Sequence, residues 1–399
     1  MIKSERAGLS VEKLEILNHV LDEYVKNKEV AGGVALIARN GQIGYLKPFG
    51  ARDIESKDSM ESDDIFRIAS MTKAITVVGI MTLFEEGLFT LDEPISKYIP
   101  EFSDLEVMIP DSLGNSYLLE KAKGQITFRH LLNHTSGLTY DFFGQKHISD
   151  LYQQKGIYNG LGASKGSIGE MVKRLAELPL VNHPGEKWQY GVNMDVLGYL
   201  IEVISGKTLE QYFESEIFKP LGMNDTYFYL PDSKMGRIAT LYGVGSIDKI
   251  TRVEGDIGYH SDLKTHQLNK SYFSGGAGLV STAEDYFKFL QMLLNNGTYM
   301  EQRILSRKTV ELITTEQAGD EIPWFKGHGF GFGFAISRGP KLTGNLGSVG
   351  TYSWLGYFNS YYWVDPQENL IGILLTQMQP ENTDIEIKFK NLMYQSLKE

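Results

Sequence analysis

Two side chains of the types needed for nucleophilic chemistry, Ser70 and Lys73, stand three residues apart in the stretch FRIASMTKAITVVGIMTLFEEG, residues 66–87. At that spacing on a helix they share one face and can touch. Lys73 is the only charged residue between Arg67 and Glu85, in a run without the polar stripe of a solvated helix. The helix is therefore expected to be buried all round, and the lysine with it. A buried ammonium is costly unless it is paired or gives up its proton, so this position implies a structural partner or a chemical use. The first-turn N–H groups favour an alkoxide or oxyanion and disfavour a protonated lysine there. A serine beside such a lysine can be activated without histidine.

Other candidates carry less. The S-x-x-K spacing recurs at Ser10/Lys13, Ser246/Lys249 and Ser261/Lys264, in polar surroundings that a helix cap and a solvated lysine explain. GASKG, residues 162–166, matches the G-x-S-x-G nucleophile elbow, but no buried strand precedes it, so Ser164 reads as a loop residue or N-cap. The 8 histidines include no H-E-x-x-H, and His130 and His134 have no carboxylate at a ligand spacing; they read as core or loop-fixing residues, and no metal is expected. HGFGFGF fails the G-x-G-x-x-G pattern and reads as a strand that needs close approach on one face. The absence of cysteine excludes a thiolate nucleophile, disulfides and Cys-ligated zinc.

The elements around Ser70 and Lys73 follow from local pattern. The opening stretch reads as an amphipathic helix with Ser10 as N-cap and lacks a continuous apolar segment, which points to a cytoplasmic protein. No apolar run approaches the roughly 18 residues needed to span a bilayer. A net charge of -11 argues against nucleic acid and anionic membrane as partners. GGVALIARNGQIGYLKPFGARD alternates like two strands joined at Asn40-Gly41. From Ser70 to about residue 220 the pattern is mostly helical, including SIGEMVKRLAELPL and a helix ended by Gly206; STAEDYFKFLQMLLNNG is a further helix, capped by Ser281 or Thr282 and stopped near Gly297. HGFGFGFAISR, YSWLGYFNSYYWVDP and NLIGILLTQM are read as strands, with a closing helix from about Asp384. The expected fold is α/β (α+β): one antiparallel sheet built from both ends of the chain, flanked by helices. Residues 1–69 and 273–399 would form the sheet region and residues 70–272 an inserted, mainly helical region, together one compound catalytic domain.

The ordered set RIASMTK, ITFRHLLNHTSGL, HPGEKWQYGVNMDVLG, SGGAGLVSTAEDYFKFLQMLLNNG and WVDPQENLIGILLTQ resembles the serine β-lactamase-like superfamily over nearly the whole chain. Within it the chain is most similar to the family VIII carboxylesterases. The resemblance implies that Ser70 is the acylated nucleophile, Lys73 its activating partner and Tyr190 the third catalytic residue, with either Lys73 or Tyr190 as the resting base. It also implies an oxyanion hole made by the backbone N–H groups of Ser70 and Tyr357. The Y-x-N of class C enzymes is altered, because Val192 stands at its third position and Asn193 one later. Trp354, Leu355 and Gly356 stand where the esterases commonly show W-G-G and class C enzymes K-T-G, so they would form a substrate-binding wall. KLTG, Lys341 to Gly344, lies in a polar, turn-prone stretch and reads as a decoy. An indole in place of a cation favours neutral, partly apolar acyl esters over anionic β-lactams. Tyr352, Trp354, Tyr357 and Phe358 hint at aryl or short acyl groups. The expected function is an esterase acting on a small-molecule ester without a cofactor; the alternatives are a β-lactamase or D-Ala-D-Ala carboxypeptidase on the same scaffold, and a catalytically silent scaffold.

Overall fold

The computed structural model describes residues 2–111, 116–143, 146–162, 164–244, 250–253, 270–319, 321–380 and 383–398; the Ser246/Lys249 and Ser261/Lys264 pairs lie outside them. After a short helix, Ile2–Arg6, the Ser10 side chain accepts a hydrogen bond from the Lys13 N–H and starts α1 (Val11–Lys26), whose buried stripe is Leu14, Leu17, Leu21 and Tyr24. Strands β1 (Gly32–Arg39) and β2 (Gln42–Asp53) turn at Asn40 and Gly41, with φ of 53° and 75°, as a two-residue hairpin loop of this hand requires. A two-residue edge strand, β3 (Asp58–Ser59), follows.

Helix α2 (Thr72–Glu85) is buried continuously from Thr72 to Met81, as its missing polar stripe demands. Helix α3 (Asn193–Ser205) stops at Gly206 in a left-handed conformation (φ 70°), and α4 (Ala283–Leu294) starts at Thr282, whose side chain accepts from the Asp285 N–H. The chain closes with β4 (His328–Phe330), β5 (Ala335–Ser337), β6 (Tyr352–Gly356), β7 (Ser360–Asp365), β8 (Leu370–Thr376) and α5 (Thr383–Gln395).

These strands make one antiparallel sheet in the order β4-β5-β6-β7-β8-β1-β2-β3. The first and last parts of the chain meet at its centre, where Gly33 pairs with Thr376 and Arg39 with Leu370. Strand β1 is apolar on both faces because both are covered. Val34, Leu36 and Ala38 join Ile371, Ile373 and Leu375 in the core that contains α2, α3 and α4, while Ala35, Ile37, Trp363 and Leu374 pack with residues of α1 and α5. The sheet thus holds β6 beside the buried helix that carries Lys73.

Two local features differ from the sequence reading. HGFGFGFAISR is not one strand but a hairpin: Gly333 adopts φ 81°, and the Gly331 N–H donates to the Phe334 carbonyl. The mainly helical stretch also contains an antiparallel pair, Glu106–Pro110 with Tyr117–Lys121. Its second strand points Leu118 and Leu119 into solvent, so it lacks the in-out alternation that betrays a strand. Among the described residues, no helix is long and apolar enough to cross a membrane.

Candidate active site

Ser70 sits in a single 3-10 turn, Ala69–Met71, that runs straight into α2. Ala69 has φ 41°, a left-handed conformation that costs a non-glycine residue about 1–2 kcal/mol. One turn further on, the Lys73 ammonium donates to Ser70 Oγ at 3.0 Å and to the Gly276 carbonyl at 2.7 Å. Lys73 is 0% exposed. Tyr190 Oη lies 2.9 Å from Ser70 Oγ and accepts the Trp354 indole N–H at 3.3 Å. Lys73 Nζ also stands over the rings of Tyr190 (4.8 Å) and Tyr140 (5.4 Å), where the π faces stabilise its charge. The buried lysine is thus held by one hydroxyl, one carbonyl and two rings.

Close backbone approach brings these groups together. The Gln189 N–H donates to the His134 carbonyl at 2.7 Å, and Gly191 packs where a Cβ would stand 2.5 Å from the Leu138 carbonyl. A side chain at 191 would push Tyr190 away from Ser70. On the other side, the Ser274–Gly278 loop docks on the buried helices. Thr76 Oγ1 donates to the Gly275 carbonyl (2.7 Å), and a Cβ at Gly275 would stand 2.4 Å from the Met194 carbonyl. The SGGAG stretch is glycine-rich because its backbone must reach the lysine.

Ser70 and Tyr190 open onto a cavity of about 300 Å³. Most of its wall is aromatic: Tyr140, Phe142, Phe143, Trp324, Trp354 and Tyr357, completed by Leu355, Leu161, Asn159 and Ala277. None of these described lining residues is charged. At the rim, Phe143 and Trp324 stack with ring centres 5.1 Å apart, and both are partly exposed.

Ser70, Lys73 and Tyr190 are thus brought together, and Trp354, Leu355 and Tyr357 line the same cavity. Gly356 has a different place. A Cβ there would stand 2.4 Å from the Ile68 carbonyl, so Gly356 seats the end of β6 on the turn that carries Ser70 rather than forming the wall. Tyr352 and Phe358 are buried and do not line the cavity. Lys341 is exposed on a short helical turn, Pro340–Thr343, away from the cavity wall. Asn193 serves His134 and Ser136: its side-chain amide bonds His134 Nδ1 at 2.7 Å and it accepts from Ser136 Oγ. His130 closes a capping box with Thr127. The Ser164 hydroxyl donates to the Gly162 carbonyl at 3.3 Å, and Ser164 does not line the cavity. Among the described residues there is no group of three or more potential metal-ligating side chains.

Sequence reading missed most of the wall and one buried acid. Tyr140, Phe142 and Phe143 come from one loop and Trp324 from another, and only the tertiary fold brings them together. Asp195 had a signal: it is a charged residue at the buried start of the mainly apolar helix MDVLGYLIEVIS, whose other acid, Glu202, lies two turns further on. Burial pushes the Asp195 carboxyl up, while Ser274, Lys73 and the Gly276 N–H pull it down. Burial and then Lys73 hold His134 well below the usual histidine range, and burial raises the Tyr140 phenol well above its own.

An antiparallel sheet formed by both ends of the chain, with a Ser-Lys pair on the first buried helix and a tyrosine over the serine, defines the serine β-lactamase-like architecture. The chain belongs to the Beta-lactamase family, whose model matches residues 17–393. It is 33% identical to the protein Rv1367c of Mycobacterium tuberculosis, over 88% of this chain and 87% of that one. It is 29% identical to Esterase EstB of Burkholderia gladioli, over 90% and 89%. Its fold superimposes on EstCE1, described as a hydrolase with promiscuous acyltransferase activity, with a TM-score of 0.81 at 26% identity, covering 96% of this chain and 98% of that one.

Proposed function

We propose that the protein is a serine carboxylesterase that works through an acyl-enzyme on Ser70. The observation that carries this reading is Ser70 Oγ held between Lys73 Nζ at 3.0 Å and Tyr190 Oη at 2.9 Å, at the edge of an aromatic cavity whose described lining residues carry no charge. Ser70 Oγ attacks the ester carbonyl carbon and passes its proton to the Lys73–Tyr190 pair. The carbonyl–oxygen bond to the alcohol then breaks, and the departing alkoxide takes the proton back through Tyr190. Water attacks the acyl-enzyme by the same route in reverse and frees the acid. The N–H groups of Ser70 and Tyr357 are the assigned donors to the developing oxyanion, a role typically worth on the order of 3 kcal/mol per donor in the transition state.

The wall decides the substrate. Trp354, Leu355 and the Phe142–Phe143 rim offer apolar and π surface, and no described lining residue offers a cation for the carboxylate of a β-lactam or a D-Ala peptide. Neutral small-molecule esters with aryl or short acyl groups fit this wall. An alcohol can take the place of water as acyl acceptor. The apolar aromatic wall favours that second reading, and a structural relative with promiscuous acyltransferase activity supports it. The test is kcat/KM for p-nitrophenyl butyrate against a chromogenic cephalosporin on one preparation, with Ser70→Ala as the blank. The ester is expected to win by orders of magnitude; faster turnover of the cephalosporin would overturn the carboxylesterase reading. Adding a primary alcohol to the ester assay and measuring transester against free acid separates transfer from hydrolysis.

A further inference from the structure

Behind Lys73, on the side away from the cavity, lies a fully buried polar cluster that the scheme above does not use. Asp195, on the first turn of α3, is 0% exposed. Its Oδ1 accepts from Ser274 Oγ at 2.6 Å and from the Gly276 N–H at 3.3 Å. The carbonyl of that same Gly276 receives the Lys73 ammonium at 2.7 Å. Asp195 Oδ2 and Tyr140 Oη are buried without a hydrogen-bond partner, and both converge on Gly276: a Cβ there would stand 2.6 Å from the first and 3.1 Å from the second. Glycine at 276 is what lets carboxylate and ammonium approach the N–H and the carbonyl of the same residue.

We propose that Asp195 is a positioning residue for Lys73, fixing the Ser274–Ala277 loop that holds the ammonium and supplying, across Gly276, the negative charge that keeps that ammonium in place. The inference rests on the acyl-enzyme reading of Ser70 and Lys73. Two observations favour a charge role over simple packing. A carboxylate in the core needs compensation, and the donors Ser274 Oγ and Gly276 N–H both fall on Oδ1, which leaves Oδ2 directed at the Lys73–Gly276–Tyr140 locus. Among the described residues, the groups facing Lys73 are Ser70, Tyr190 and Tyr140 from the cavity side, His134 from the neighbouring loop and Asp195 from α3; of these, Asp195 alone is a carboxylic acid. Its charge therefore sets how readily Lys73 gives up its proton when Ser70 must lose its own.

Two variants separate charge from geometry. Asp195→Asn keeps an oxygen for Ser274 and the Gly276 N–H and removes the charge. Ser274→Ala keeps the charge and frees the loop. Both are first labelled with a fluorophosphonate beside wild type: failure of wild type to label at Ser70 would count against the acyl-enzyme reading itself, and the Asp195 test proceeds only from labelled enzyme. The acidic limb of kcat/KM for p-nitrophenyl butyrate is expected to move at least half a pH unit toward acid in Asp195→Asn, because the protonated lysine has lost its anion. In Ser274→Ala the limb should stay in place while kcat falls several-fold at unchanged KM. An Asp195→Asn profile that superimposes on wild type after scaling would overturn the charge role. Unchanged kcat in Ser274→Ala would overturn the positioning role, even if Asp195→Asn failed to fold.

Discussion

Replacing Tyr190 by phenylalanine removes one oxygen from the centre of the site and leaves the ring. That ring is 7% exposed and packs against His134, Tyr140, Trp188 and Trp354, so its position should hold. The lost oxygen contacts Ser70 Oγ at 2.9 Å and accepts the Trp354 indole N–H at 3.3 Å. Two costs follow. Loss of a positioned proton carrier typically lowers the rate by about 10²–10⁴-fold, equivalent to about 3–5 kcal/mol in the barrier at about 1.4 kcal/mol per tenfold. Because the oxygen faces the serine rather than an apolar wall, KM should stay within about threefold, the pattern of an interaction made in the transition state. The second cost is structural: the Trp354 N–H, at 1% exposure, loses its acceptor, which costs about 1–3 kcal/mol. Stopped-flow acylation with p-nitrophenyl butyrate and a thermal melt read the two separately. Trp354→Phe is the control, since it removes the donor but not the proton carrier, and should cost far less in the acylation rate. Acylation by Tyr190→Phe within threefold of wild type would refute the shuttle and leave Lys73 alone as the base.

The remaining predictions concern the groups that surround Ser70. Lys73→Met, which keeps the side chain's length and removes a buried charge, should lower kcat by at least about 10³-fold; kcat within about tenfold of wild type would contradict its role as the activating partner of Ser70. Gly356→Ala must displace the Ile68 carbonyl, 2.4 Å from the new methyl, and should reduce acylation more than tenfold by moving both proposed oxyanion donors; crystallographic overlay and rates equal to wild type would contradict this. His134 is held neutral by burial and Lys73, so the unfolded chain binds the extra proton as pH falls through 6.5, and native stability is full above that value and lost below it. The loss reaches up to about 2 kcal/mol by about pH 5 at about 1.36 kcal/mol per unit. Melts of wild type and His134→Gln from pH 7.5 to 5 should therefore converge on acidification; His130 and His328, also lowered by burial, contribute to both curves alike, and parallel curves would sink the assignment.

What could be read in the sequence was whatever local chemistry enforces. Asn40-Gly41 dictates a hairpin because few other pairs tolerate two positive φ values, and Thr282 and Gly206 mark helix ends through hydrogen bonds made within a few residues. Lys73 was legible for a related reason: a charge in an unbroken apolar run needs a cause wherever it lies. The same logic reaches Asp195, an acid at the buried start of a mainly apolar helix, although its partners Ser274 and Gly276 lie some eighty residues further along the chain. The cavity wall was not legible. Phe143 and Trp324 stack across 181 positions of sequence, and no local pattern distinguishes a rim aromatic from a core aromatic. Gly356 shows the limit within a motif, because its place in the strand was readable while its contact with the Ile68 carbonyl depends on how the sheet meets α2.

The most direct test of the account is to identify the acylated residue. Wild-type enzyme quenched in acid during steady-state turnover of p-nitrophenyl butyrate, then digested and analysed by mass spectrometry, should carry a butyryl group on the peptide containing Ser70 and on no other serine. The adduct should vanish, with the activity, in Ser70→Ala. Full esterase activity in Ser70→Ala, or a butyryl group on Ser164 or another serine, would contradict the claim that Ser70 is the nucleophile.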